Sequence, residues 1–227
     1  MTPVTAIGVA GLAVVSITSH EAAHGYVADR FGDPTARERG RLTLNPIPHI
    51  DLFFTILLPL FLIVSGSSFI FGGAKPVPVD VSRLRNPRRD WALVGAAGPG
   101  MNVLIAIGLT AVLAAATLVG LADASSNLTE ILAVGIFLNA LLAVFNLIPI
   151  PPLDGSRVVQ YFLSGAALGL YRRLEQFGLL LILALVFLVP QLQVPLSRAI
   201  FGLVVLITTP FGVAADVEPL VRRLLFG

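Results

Sequence analysis

Two of the chain's three histidines, His20 and His24, lie four residues apart in the stretch SHEAAHGYVADR at residues 19–30, with Glu21 between them. An i, i+4 spacing places both imidazoles on one helix face, a single turn apart. His-Glu-x-x-His on a helix is the arrangement in which two histidines hold zinc and the glutamate serves as general acid/base of a hydrolase. The setting sharpens that reading. Nothing between Val4 and Ser19 is ionisable. Ionisable groups at membrane depth are costly, so such a cluster marks a functional site before it marks a structural histidine pair.

The elements that must position these residues are apolar. Hydrophobic residues make up 56% of the chain and charged residues 12%, against about 25% charged in a soluble domain. The expected fold class is therefore an all-α polytopic membrane protein in a lipid bilayer. Its 227 residues suffice for five to six transmembrane segments of ~20 residues each. One membrane-embedded domain is expected over residues 1–227, with a catalytic core at about 1–160 and C-terminal helices at about 170–227. Cysteine is absent, which excludes disulfides, thiolate ligands and cysteine nucleophiles and leaves His, Asp and Glu to hold any metal. A net charge of +2 forms no nucleic-acid patch. The N-terminal apolar run lacks a basic leader, so it is expected to be a retained span.

Apolar segments fall at about 4–28, 52–71, 91–121, 131–150, 174–189 and 196–214. The second is unusual, because its apolar stretch from Leu52 to Val64 contains Pro59 and runs into Ser-Gly-Ser-Ser. That is short for a span and suits a re-entrant segment. Charge placement agrees. If the other five segments cross and the second returns, fourteen of the fifteen basic residues share one face and only Arg198 lies opposite. The positive-inside rule then puts the N-terminus outside and the C-terminus in the cytoplasm of a multi-pass cell-membrane protein, with the active site toward the cytoplasmic side.

A catalytic zinc takes three protein ligands and leaves a position for water. His49, Asp51 and Asp154 are the candidates near membrane depth. Asp154 follows the cytoplasmic end of the fourth segment, and His20 and His24 lie near that end of the first. The two segments must run parallel to meet, which needs an odd number of crossings between them. The charge-based topology supplies one, so Asp154 is the expected third ligand and His49 a hydrogen-bonding neighbour.

Four separated stretches, HEAAHGYVADRFGDPTARERGRLTLNPIPHID, GGAKPVPVD, AAGPGMNVLIA and FNLIPIPPLDGSR, together resemble the site-2 protease family of intramembrane zinc metalloproteases, in its small prokaryotic branch without a PDZ domain. The resemblance covers about residues 15–160. It implies one zinc ion on His20, His24 and Asp154, with Glu21 as catalytic residue. It also implies that Asn146 sits near the scissile peptide and that Asn102, the polar position of Gly-Pro-x-x-Asn, belongs to the substrate-binding set. Ser156 departs from the Leu-Asp-Gly-Gly of many members without touching a ligand. The implied reaction is hydrolysis of a peptide bond in or near a transmembrane segment of a membrane-protein substrate. A regulatory membrane partner and an unspecified oligomeric state complete the expectation.

In such a reaction Glu21 takes a proton from a water made acidic by the metal and returns it to the leaving amine. A helical substrate must unwind first. AKPVPVD and IPIPPLD are expected as short extended stretches near the site, equally suited to pairing with an unwound guest strand or to serving as helix-breaking connectors. Gly95, Gly98 and Gly100 are read as sites of close helix approach, and Asn139 as an interhelical hydrogen-bonding residue.

Overall fold

The computed structural model describes residues 2–57, 60–61, 64–65, 73–123, 126–178, 180–182, 184 and 190–226. The Thr2 side chain accepts from the Thr5 N–H and Pro3 occupies the first helical turn, which starts helix α1 over Pro3–Arg30. Both features suit a helix N-terminus, whose first N–H groups lack partners. A short α2 (Thr35–Glu38) follows, then α3 (Pro87–Leu118), α4 (Asn127–Asn146), α5 (Asp154–Phe162), α6 (Gly165–Leu174), α7 (Gln193–Thr208) and α8 (Ala214–Phe226). Ser126 caps α4 by accepting from the Thr129 N–H.

Among the described residues, four helices are long and apolar enough to cross a membrane: Pro3–Arg30, Pro87–Leu118, Asn127–Asn146 and Gln193–Phe211. They match the first, third, fourth and sixth apolar segments of the sequence. Ile7, Leu104, Leu118 and Leu206 stand exposed on them, as lipid-facing side chains do. Half of the second segment and seven of the sixteen residues of the fifth lie outside the described residues; the described parts include a wide turn at Leu52–Leu57 and a tight one at Glu175–Phe177.

Contacts fix the helix directions. Thr5 Oγ1 donates to Glu130 Oε2 at 3.0 Å, and Asn139 Nδ2 donates to Ser16 Oγ at 2.8 Å. The partners advance together, so α1 and α4 run parallel. His20 meets Asn102 and His24 meets Val94, so α3 runs antiparallel to both. The connection between α1 and α3 accordingly begins and ends at one side of the bundle. There the Arg85 N–H donates to the Phe31 carbonyl at 2.9 Å and the Asp80 N–H to Asp33 Oδ2 at 2.7 Å.

Helices in lipid gain little from apolar burial and associate by close packing, which favours small residues where backbones approach. Ala106 of α3 and Ala133, Ala140 and Ala143 of α4 fill that role, all buried. Leu113, Ile136, Ile200, Val204, Val217 and Val221 form the larger core that α7 and α8 close.

No β-ladder occurs among the described residues, which differs from the expected strand pieces. The stretch around Lys75–Val79 is irregular and spends its donors inward: the Lys75 N–H donates to the His49 carbonyl at 2.8 Å and the Val77 N–H to Glu21 Oε2 at 2.9 Å. Residues 148–153 curl into turns, with the Ile150 N–H on the Ile148 carbonyl and the Leu153 N–H on the Ile150 carbonyl. Prolines remove N–H groups a ladder would need, and the donors named here go to His49, to Glu21 or into turns instead.

Candidate metal centre

The second half of α1 carries His20 and His24 on the face toward α3, and the first residue of α5 is Asp154. Their ligand atoms converge. Asp154 Oδ2 lies 3.0 Å from His20 Nε2 and 3.2 Å from His24 Nε2, and the two Nε2 atoms are 3.2 Å apart. All three residues are buried.

The surrounding hydrogen bonds decide which ring nitrogens carry protons. His24 Nδ1 lies 2.6 Å from the Val94 carbonyl, which can only accept, so Nδ1 is the donor. For His20 the logic runs through a relay. Asn139 Nδ2 donates to the Gly135 carbonyl at 2.9 Å, which turns its Oδ1 toward Asn102 Nδ2, also at 2.9 Å. Asn102 therefore presents Oδ1 to His20 Nδ1 at 2.6 Å, and His20 must donate. Ser16 completes the relay by accepting from Asn139 and donating to the Leu12 carbonyl at 2.7 Å. In the neutral imidazoles both Nε2 atoms are thus bare lone pairs beside a carboxylate.

Asp154 Oδ2 has no hydrogen-bond donor. Arg157 reaches the other oxygen, Oδ1, at 3.2 Å and lies over the Trp91 ring. Three acceptors in mutual contact repel unless a cation sits among them. Tetrahedral bonds of about 2.0–2.1 Å would set ligand atoms about 3.3 Å apart, close to the observed spacing. Two imidazoles and a carboxylate form a donor set suited to zinc.

Gly98 forms the wall of this centre. A Cβ there would lie 2.5 Å from both Nε2 atoms, inside the space a metal needs. Gly95, one turn earlier, lets α3 approach the Asp154 carbonyl, where a Cβ would come within 2.9 Å. Gly155 is tighter still, its absent Cβ 2.2 Å from the Leu147 carbonyl, so α5 can start directly beneath the end of α4. Gly100, expected to share the packing role, faces open space.

The other expected site residues fall outside the trio. Glu21 is half-buried next to His20 and is held by the Val77 N–H. Asn102 is fully buried with both ends of its amide engaged, which places it behind His20. Asn146, at the last residue of α4, donates to the Leu142 carbonyl of its own helix. His49 Nε2 donates to the Thr43 carbonyl 3.1 Å away, and His49 joins no metal-ligating group among the described residues.

The sequence model of peptidase family M50 matches residues 116–189, which include Asp154. "Putative zinc metalloprotease YwhC" of Bacillus subtilis is 41% identical over 175 residues, 76% of each chain. "Putative zinc metalloprotease Rip2" of Mycolicibacterium smegmatis is 30% identical over 192 residues, 81% of this chain and 69% of that protein. Its namesake from Mycobacterium tuberculosis H37Rv is 34% identical over 180 residues, covering 79% and 66%. The chain belongs to peptidase family M50. This is the site-2 protease family that the motifs resemble, and the chain is a membrane metalloprotease by that membership. No solved structure matches it.

For an M50 member, the wall and the relay give two expectations. Gly98→Ala drives a methyl group between the imidazoles and lowers metal content severely, while Gly100→Ala leaves it unchanged; elemental analysis of the purified variants distinguishes them. Asn139→Leu removes the relay's anchor. Interhelical hydrogen bonds average only about 0.6 kcal/mol in membranes, so the fold survives. Losing the support of a metal-binding histidine typically costs about 10–100-fold in metal affinity. Competition with a zinc chelator reads this loss, and an unchanged affinity would reduce the relay to a packing feature.

Proposed function

We propose that this M50 protein is an intramembrane zinc endopeptidase in which His20, His24 and Asp154 hold the metal and Glu21 is the general acid/base. The observation that carries the reading is the convergence of two imidazole Nε2 atoms and an undonated Asp154 oxygen, one residue from a glutamate. Names of the relatives as zinc metalloproteases support the same metal.

Zinc, when bound, supplies Lewis acidity toward a peptide carbonyl and lowers the pKa of water. The rest is work for the chain. Asn102 and the Val94 carbonyl keep both imidazoles in the tautomer that leaves Nε2 free. Arg157 neutralises the second oxygen of Asp154 and fixes its rotamer. Glu21, oriented by the Val77 N–H, accepts the proton of the attacking water and passes it to the departing amide nitrogen. Asn146, placed where α4 gives way to the turn before Asp154, orients the substrate backbone. Asn102 contributes to substrate binding indirectly, by holding His20.

The substrate is an unwound segment of a membrane protein, processed in regulated intramembrane proteolysis with a membrane partner controlling access. The single domain spans the whole chain, its catalytic core within residues 1–160. The segment at 52–71 enters and returns to the face it left; support comes from Thr55 Oγ1 donating to the Gly73 carbonyl at 2.6 Å, since its two ends lie side by side. That face is cytoplasmic by the charge count. Single cysteines introduced into this Cys-free chain should label from the cytoplasm at residues 35, 85, 160 and 225 and from outside at 125 and 193. Opposite labelling of 35 and 85 would contradict the topology. The activity itself is tested by mass spectrometry of a panel of single-span substrates in vesicles, where cleavage within or beside the span is expected. Cleavage of lipid esters and of no peptide would point instead to a metal-dependent lipid hydrolase.

A further inference from the structure

Next to the stretch that holds Glu21, a cleft of about 330 Å3 is lined by Arg39, Arg41, Pro48, Lys75, Pro76 and Pro78. Three of the six are cations and none is an acid. Arg41 is the unusual member, only 8% exposed. Its Nη2 donates to the Lys75 carbonyl at 2.6 Å and more weakly to that of Pro76. Its Nε is buried and has no partner among the described residues. A guanidinium stays charged and offers a planar fork of donors, a geometry suited to phosphate. Burying one edge unpaired is unfavourable, and an anion in the cleft that Arg41 lines would offset that cost through its charge.

The flanking chain says what kind of anion. Leu44 and Ile47 are each 70% exposed and Leu52 is 67% exposed, and they lie in sequence on either side of the cleft residue Pro48. Large apolar side chains turned outward beside a basic cluster are the pattern of a segment seated at the membrane interface, its apolar groups among acyl chains and its cations at the headgroups. A soluble acidic protein would leave those three side chains without a role. We infer that the cleft binds the phosphate of an anionic phospholipid headgroup.

The position gives that lipid a consequence. Arg41 pins the carbonyls of Lys75 and Pro76, and the next N–H in the chain, that of Val77, holds Glu21. A phosphate on Arg41 braces the stretch that orients Glu21. This last link rests on the catalytic reading of Glu21; the lipid site does not.

The test uses the full zinc-loaded chain in phosphatidylcholine vesicles containing a photoactivatable phosphatidylglycerol, with crosslinks mapped by mass spectrometry and peptide cleavage read in the same vesicles. Crosslinks are expected within residues 39–48 and 75–78. Arg41→Gln should reduce them about tenfold, the loss of one charge-assisted contact. The double variant Arg39→Gln with Lys75→Gln, both on exposed side chains, should do the same without risk to folding. Undiminished crosslinking in both would overturn the inference. So would displacement of the lipid by inorganic phosphate, which would mean a site for free phosphate, or by a substrate peptide with juxtamembrane glutamates, which would mean a substrate site. Lost crosslinks with unchanged cleavage in the two variants would keep the lipid site and remove its link to Glu21. Normal crosslinks in wild-type vesicles that cleave no peptide would leave the lipid site standing and sink the catalytic reading instead.

Discussion

Glu21→Gln is expected to abolish cleavage of a membrane-embedded peptide bond while leaving zinc content and helical content at the wild-type level. Glu21 adjoins His20 in the chain, but it is not among the three residues whose ligand atoms converge. Its only hydrogen bond among the described residues comes from the Val77 N–H, and a glutamine carbonyl can accept that bond equally well. The substitution therefore keeps the geometry and removes only the ability to take and return a proton. Acid/base catalysis typically contributes about 10²–10⁴-fold, so residual activity below about one per cent is expected. A metal-binding scaffold or transporter would be indifferent to the change. Cleavage at the wild-type rate would make such a scaffold the better account.

Asp154→Ala should lose both the metal and the activity. Two imidazoles alone remain, and a catalytic zinc site needs three protein ligands. The substitution also strands Arg157, whose Nη1 sits 3.2 Å from Asp154 Oδ1. Arg157→Gln is the informative companion: the carboxylate stays, its rotamer loosens, and zinc affinity falls by about 10–100-fold, the usual cost of an outer partner. Full zinc retention in Asp154→Ala, combined with loss in His49→Ala, would show that the third ligand had been misassigned. Elemental analysis of the purified variants decides between these outcomes. His49 Nε2 lies against the Thr43 carbonyl, which argues for Asp154.

Much of this arrangement is legible in the sequence alone. The i, i+4 histidines in an apolar run required one helix face, and long apolar segments at 4–28, 91–121, 131–150 and 196–214 correspond to four spanning-length helices. The need for Asp154 to reach His20 required parallel first and fourth segments, and α1 and α4 are parallel. What stayed hidden depends on relations between helices. Nothing in a single sequence says that Asn139 lies opposite Ser16 or that Asn102 lies between Asn139 and His20, because register across a packed pair is set by the shapes of both partners. Gly98 showed the same limit. Its residue type announced close approach, but only the structure reveals that the approach is to two ring nitrogens, while Gly100, two residues on, faces open space. The proline-rich stretches suit a guest strand and a helix-breaking connector equally by sequence; their donors close turns and hold Glu21, which composition could not foretell.

The central claim, peptide hydrolysis that depends on a zinc held by this chain, is tested most directly in one preparation. Purified wild-type protein in vesicles is given a single-span peptide, stripped with a chelator and then resupplied with zinc, with products identified by mass spectrometry at each stage. The account predicts cleavage, its loss on stripping and its return with zinc. Cleavage that continues unchanged after the metal is gone, or no peptide product at any stage from protein carrying a full complement of zinc, would contradict it.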